Sequence, residues 1–148
     1  MNAVDATIDI NAPPEAVWEA LMDPTRLAEW VTIHRRLHTA ADPPLEKGDQ
    51  LEQTLSLRGV NFKVHWTVEE ADAPRHAVWE GHGPARSKAR TVYEVRANGD
   101  GTRFAYHNEF NAPMGPLGSA ASRVLMGGVP QREATASLQR LKHLLEAR

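Results

Sequence analysis

Val60-Asn61-Phe62-Lys63-Val64-His65-Trp66-Thr67-Val68-Glu69 alternates apolar and polar side chains without a break. Successive side chains of a strand point to opposite faces, so this period of two predicts a strand with Val60, Phe62, Val64, Trp66 and Val68 on one face. Upstream, Leu51, Gln53, Leu55 and Leu57 share a strand face, and Arg58-Gly59 reads as a tight turn between the two segments. Downstream, Ala73-Pro74 turns the chain, His76 to His82 forms a short strand around Trp79, and Ser87 to Arg96 forms another. Asn98-Gly99-Asp100-Gly101 is a hairpin signal, because Asn-Gly and Asp-Gly accept the positive φ of two-residue turns. Thr102 to Phe110 then pairs back.

Outside this run the period changes. Val4 to Ile10 alternates and predicts a first strand, and Asn11-Ala12-Pro13-Pro14 stops it. Proline suits the first turn of a helix, so a helix carrying Val17, Trp18 and Leu21 follows, ended by Asp23-Pro24. A second short helix near Thr25 to Trp30 carries Leu27 and Trp30, and Thr32 to Thr39 reads as a strand. In the last third, Leu117, Val124, Leu125, Leu138, Leu141, Leu144 and Leu145 recur at helical spacing. Pro130, after Gly127-Gly128, predicts a kink in that helix or a break into two, and the glycines would leave room beneath it. The order is strand, two short helices, six strands and a long helix. That predicts one α+β domain over residues 1–148, an antiparallel sheet of about seven strands curled against the C-terminal helix on its concave face.

Composition narrows the function. At 148 residues the chain can bury roughly 70% of the surface it exposes unfolded, enough for a real core. A formal charge of −2 argues against binding nucleic acid. The absence of cysteine removes disulfides, thiolate metal sites and cysteine nucleophiles. No run approaches the ~20 apolar residues of a membrane span, and the N-terminus lacks the pattern of a secretory signal. A cytoplasmic protein is expected.

The alternation turns Leu51, Leu55, Phe62, Val64, Trp66, Trp79, Tyr93, Phe104, Tyr106 and Phe110 inward, with Gln53 and Asn108 as polar anchors and Trp30 near the mouth. Apolar walls with a few placed polar groups are what small-molecule sites consist of. All of these but Leu51 are the expected ligand-binding residues, and the expected partner is a small hydrophobic molecule. A solid core filled by the same side chains is the bland alternative. His34, Arg36 and His38 share one face of the first edge strand and are the candidates for acid–base chemistry, against the plainer role of charges that block edge pairing. His34 and His38 lie roughly 13 Å apart at ~3.3 Å per residue, too far for one metal ion. No His-Glu-x-x-His helix, Gly-x-Ser-x-Gly elbow or nucleotide-binding glycine spacing occurs. No metal and no cofactor are expected.

Ile8-Asp9-Ile10-Asn11-Ala12-Pro13-Pro14-Glu15-Ala16-Val17-Trp18-Glu19-Ala20-Leu21, with Asp23-Pro24 and Glu29-Trp30, resembles the opening signature of the START/polyketide-cyclase superfamily. Gly101-Thr102-Arg103 and the end Leu141-Lys142-His143-Leu144-Leu145-Glu146 fit the same pattern, so the likeness covers essentially the whole chain. Within the superfamily, the stretch from Glu29 to Arg35 is most similar to short actinobacterial polyketide cyclase/dehydrase-like proteins. The resemblance implies a helix-grip fold around a ligand cavity. It does not choose among lipid carrier, cyclase or dehydratase, and a toxin-like or regulatory module acting through a protein partner or a homodimer. Aromatase/cyclases of the superfamily carry a pocket arginine on a central strand, whereas Phe62 to Val68 contains none. The chaperone-activating branch carries a double tryptophan where this chain has Trp30-Val31.

Overall fold

The computed structural model describes residues 2–111 and 128–147. Its strands are β1 (Asn2–Ile10), β2 (His34–Ala40), β3 (Gln50–Leu57), β4 (Val60–Asp72), β5 (His76–His82), β6 (Lys88–Asn98) and β7 (Gly101–Phe110). Its helices are α1 (Pro14–Leu21), α2 (Leu27–Trp30) and a C-terminal helix, α3 (Val129–Glu146). The short helical segment after α1 comes in two pieces, a 3-10 turn at Pro24–Arg26 leading directly into α2. Asp23 caps the turn by accepting from the Thr25 N–H at 3.0 Å.

The strands form one curved antiparallel sheet in the order β1-β7-β6-β5-β4-β3-β2. Six strands meander in sequence order, and the first strand pairs with the last, from Asn2 opposite Phe110 to Ile10 opposite Thr102. That pairing is close at its inner end. A Cβ on Gly101 would lie 2.6 Å from the Ile10 carbonyl oxygen, so only glycine fits. Beside it, the buried Thr102 hydroxyl donates to the Ala12 carbonyl at 2.7 Å and fixes the exit of β1 toward α1.

β1 lies at the edge of the sheet, and α3 runs along it. Edge backbone groups need partners, and the helix supplies several. Gln131 Nε2 donates to the Asp5 carbonyl at 2.7 Å, Lys142 Nζ donates to the Asp9 carbonyl at 2.8 Å, and the Glu146 carboxylate accepts from the Asn11 N–H at 2.7 Å. The Asn11 N–H and the Lys142 ammonium hold Glu146 below the usual carboxylate range. The apolar face of α3 places Leu138, Leu141 and Leu145 in a core shared with Val17, Leu21, Leu27, Trp30 and the concave side of the sheet.

Two expectations change at the helix. Pro130 occupies its first turn, where the missing N–H breaks no helical hydrogen bond, so it starts α3 and the expected kink is absent; the alternative of a break into two helices involves residues outside the described ones. Gly128 precedes the helix with φ 73, which makes it the entry turn rather than a gap beneath the helix. Gly127 and the expected apolar positions Leu117, Val124 and Leu125 lie outside the described residues.

On the outer face, two histidines each bridge two carboxylates. His76 contacts Glu94 at 2.6 Å and Glu70 at 2.9 Å, and His107 contacts Asp5 at 2.6 Å and Glu109 at 3.2 Å. Partial burial opposes the charge on His76, but the bonds to Glu94 and Glu70 outweigh it, and its pKa is raised. For His107 the Asp5 bond, then the Glu109 bond, raise the pKa.

A raised folded-state pKa means the stabilisation is complete below the unfolded histidine value of about 6.5 and fades as pH rises through the folded value. The His76→Gln/His107→Gln double variant is therefore expected to lose less stability than the wild type between pH 6.5 and 8, measured by urea denaturation across that range. Gly101→Ala is expected to cost about 1–3 kcal/mol by the same measurement, because its Cβ must push the β1 backbone away.

Candidate functional site

Between the concave face of the sheet and the inner side of α3 lies a cavity of about 300 Å³. Its size is at the lower end of small-molecule pockets. Its wall draws on Val4 of β1, Leu27 and Trp30 of α2, inward positions of β3 to β7, and Pro130, Glu133, Ala134, Ser137 and Leu138 of α3.

The sheet side of the wall is an aromatic band. Trp66, Trp79, Tyr93 and Tyr106 come from four adjacent strands, and the pleat turns all four inward. Trp66 and Trp79 meet edge to face at 6.1 Å, and tilted contacts join Trp79 to Tyr93 at 5.6 Å and Tyr93 to Tyr106 at 6.2 Å. Trp30 closes on Tyr93 from the helix side at 6.4 Å. Trp66 lies opposite Gly81, and a Cβ there would come within 2.7 Å of the indole. Gly81 is thus what lets the largest side chain of β4 lie flat against β5.

Gln53 is the polar hub. Its residue is 5% exposed, and its amide oxygen accepts from the Trp66 indole N–H at 2.7 Å. An indole nitrogen only donates, so the amide orientation is determined: Oε1 faces Trp66 and Nε2 faces His34 Nδ1 at 2.8 Å. His34 Nδ1 must then accept, which requires the neutral imidazole with its proton on Nε2. Burial acts in the same direction, lowering the His34 pKa.

A second polar group lies on β6 and β7, where the Thr91 hydroxyl donates to Asn108 Oδ1 at 3.2 Å. Burial pushes the Tyr93 hydroxyl pKa up, and raises that of Tyr106 to about 12 against the opposing effect of the Thr91 hydroxyl. Both phenols therefore stay protonated at neutral pH.

A third group anchors the helix side. Ser137 Oγ accepts from the Thr32 N–H at 3.0 Å, and the Thr32 hydroxyl donates to Glu133 Oε2 at 2.5 Å. This places a carboxylate in a mostly apolar wall.

Of the residues expected to bind a ligand, Trp30, Gln53, Leu55, Phe62, Val64, Trp66, Trp79, Tyr93, Tyr106, Asn108 and Phe110 line the cavity. Phe104 does not. It is fully buried beneath Tyr93 at 5.4 Å, where α1 covers that end of β6 and β7 and leaves no space above the ring. The shared face expected for His34, Arg36 and His38 is also corrected. Register shifts between His34 and Arg36, and between Leu37 and Thr39, break the alternation of β2. His34 reaches inward to Gln53, Arg36 is exposed, and His38 Nε2 bonds the Thr54 hydroxyl at 2.7 Å. Glu133, Ser137 and Thr91 were missed. On α3 the polar positions facing a cavity look the same in sequence as those facing water.

Among the described residues no group of three or more histidine, aspartate or glutamate side chains is placed to hold a metal ion. No described helix is long and apolar enough to cross a membrane. Val60 is the one large hydrophobic side chain exposed among the described residues.

The sheet curled around α3, with a cavity between them, defines the helix-grip class of ligand-binding folds. The chain belongs to the family described as polyketide cyclase/dehydrase and lipid transport, whose sequence model matches residues 1–146. It is 28% identical over 131 residues to a Mycobacterium tuberculosis protein named Toxin Rv0910, covering 87% of this chain and 91% of that one. Among solved structures it resembles the Zhui aromatase/cyclase from Streptomyces sp. R1128, at TM-score 0.80 and 16% identity, covering 99% of this chain and 94% of that one. It also resembles TTHA0849 from Thermus thermophilus, at TM-score 0.79 and 19% identity, covering 99% and 98%. Those two likenesses concern the fold.

Gln53→Leu keeps the side-chain volume but leaves the buried Trp66 N–H without its acceptor. It is expected to destabilise by about 1–3 kcal/mol in chemical denaturation. Imidazole ¹⁵N NMR at pH 7 is expected to show His34 as the neutral Nε2–H tautomer; a proton on Nδ1 would contradict the Gln53 geometry.

Proposed function

We propose that this protein binds a small, mostly apolar molecule in the cavity between its sheet and α3. The observation that carries this is the cavity itself. It is about 300 Å³ of space walled chiefly by aromatic and aliphatic side chains and crossed by a few buried polar groups, in a chain of this size and family. Support also comes from the described surface, where a lone exposed Val60 does not make the apolar patch a protein partner would cover.

Cyclase or dehydratase chemistry is the second reading, and it is favoured by Glu133, a carboxylate in the wall held by the Thr32 hydroxyl. A ligand carrying enolisable ketones leaves the protein unchanged under the first reading and cyclised or dehydrated under the second. Glu133→Gln would then abolish turnover while keeping binding.

Trp30, Trp66 and Trp79 report on occupancy directly, because all three indoles belong to the wall. A panel of lipids and polyphenols is expected to include compounds that give a saturable tryptophan-fluorescence change. Ala134→Trp, which fills the cavity from α3, is expected to remove that change while leaving the far-UV circular dichroism spectrum intact. A wild-type protein that responds to no member of the panel would turn the interpretation toward a filled, non-binding core.

A further inference from the structure

Gln53 is held between a group that titrates and a group that walls the cavity. Its amide oxygen accepts from the Trp66 indole N–H at 2.7 Å, and its Nε2 donates to His34 Nδ1 at 2.8 Å. Gln53 and Trp66 line the cavity, whereas His34, half-buried at the start of β2, is not part of the wall. The three side chains thus form a line from a partly exposed imidazole to the aromatic band. The direction of each bond in it is determined. An indole nitrogen only donates, so the amide has one permitted orientation, and that orientation requires a bare Nδ1 on His34.

A proton on His34 is incompatible with this arrangement. Both ring nitrogens of an imidazolium are donors, so Nδ1–H would meet the Gln53 amide NH₂. Leaving the amide in place costs its Nε2 an acceptor, on a residue 5% exposed. Turning it over gives the imidazolium an acceptor but sets Nε2 against the Trp66 N–H. The turned amide is favoured, because a hydrogen bond from a charged donor is stronger than the neutral one from the indole. Trp66 then loses its acceptor. Its ring meets Trp79 at 6.1 Å and lies over Gly81, so the loss is felt within the wall itself.

No neighbouring charge overrides this. On the elements packed around His34, Arg26 pairs with Glu29 of α2 at 3.1 Å, and Glu52 of β3 pairs with Lys63 at 3.8 Å. Glu133 of α3 accepts from the Thr32 hydroxyl, and β2 itself contributes Arg35, Arg36 and His38. Burial is what lowers the His34 pKa.

We propose that His34 is a proton-operated latch on the cavity: its protonation turns the Gln53 amide, unclamps Trp66 and weakens the hold on the apolar ligand. This rests on the ligand-binding function proposed above. Unfolded histidine titrates at about 6.5, and burial places His34 lower, so the latch is closed at neutral pH and opens on acidification.

The probe is N-phenyl-1-naphthylamine, a fluorescent apolar molecule that stays uncharged across the pH range used. Its affinity for the wild type is expected to fall about fivefold or more between pH 7.5 and pH 5, as the loss of one buried hydrogen bond provides. In His34→Gln, whose amide oxygen can still accept from Gln53 and does not titrate, the affinity is expected to stay constant. The Trp66 indole ¹H–¹⁵N signal of the probe-free wild type is expected to move with the His34 imidazole titration. By linkage, saturating probe should shift that titration to lower pH. A Trp66 signal that ignores the His34 titration would overturn the latch, and so would tight binding unchanged by pH. An equal loss of affinity in His34→Gln would also overturn it, by assigning the effect to another group. Each of these leaves the cavity function standing, whereas no binding at either pH would remove that function and the latch with it. The Trp66 titration is read in the wild-type protein, so a variant that fails to fold does not blunt the test.

Discussion

The pairing of β1 with β7 is the constraint on which the other features depend. It joins the two ends of the sheet sequence, over the full length from Asn2 to Ile10, and tolerates no side chain at Gly101. With β1 held there, its outer edge offers the carbonyls of Asp5 and Asp9 and the N–H of Asn11 to α3. The helix is thereby aligned along one edge by polar bonds, while its leucines reach across the concave face. A helix packed centrally would fill the concavity. One anchored along β1 and α2 covers it and leaves space beneath.

The space persists because the groups around it are stiff. Four aromatic rings from adjacent strands hold one another in edge-to-face and tilted contacts, geometries worth about 0.5–1.5 kcal/mol each beyond area burial. Gly81 removes the one Cβ that would push Trp66 off the sheet, and Gln53 clamps the far end of its indole. Thr32, Ser137 and Glu133 do the equivalent on the helix side by tying the chain after α2 to α3. The result is a site whose polar groups are mostly committed to holding its walls.

Most of the fold was legible in the sequence, because binary patterning and turn chemistry are local. The alternation from Val60 to Glu69, the Arg58-Gly59 and Asn98-to-Gly101 turns and the proline-led helix starts are each decided within a few residues, and they agree with one another. The inward face followed from the same period of two, so nearly all of the cavity wall on the sheet was readable. The alternation failed where the pleat fails. The shifts in β2 send His34, Arg36 and His38 in different directions, and no residue pattern there announces them.

The sequence by itself therefore determined the elements, the antiparallel pairing of strands that follow one another and the apolar face of the strands other than β2, since these depend on near neighbours along the chain. Only the tertiary structure decided where the apolar face is filled and where it is hollow. Phe104 and Tyr106 are equivalent in pattern, yet α1 presses on the first and the cavity opens beside the second. Only the tertiary structure, likewise, gave Gln53 its two partners, placed Glu133 in the wall and left two indoles without acceptors among the described residues. Each of those outcomes depends on side chains brought together from distant parts of the chain, and separation along the chain carries no record of distance in space.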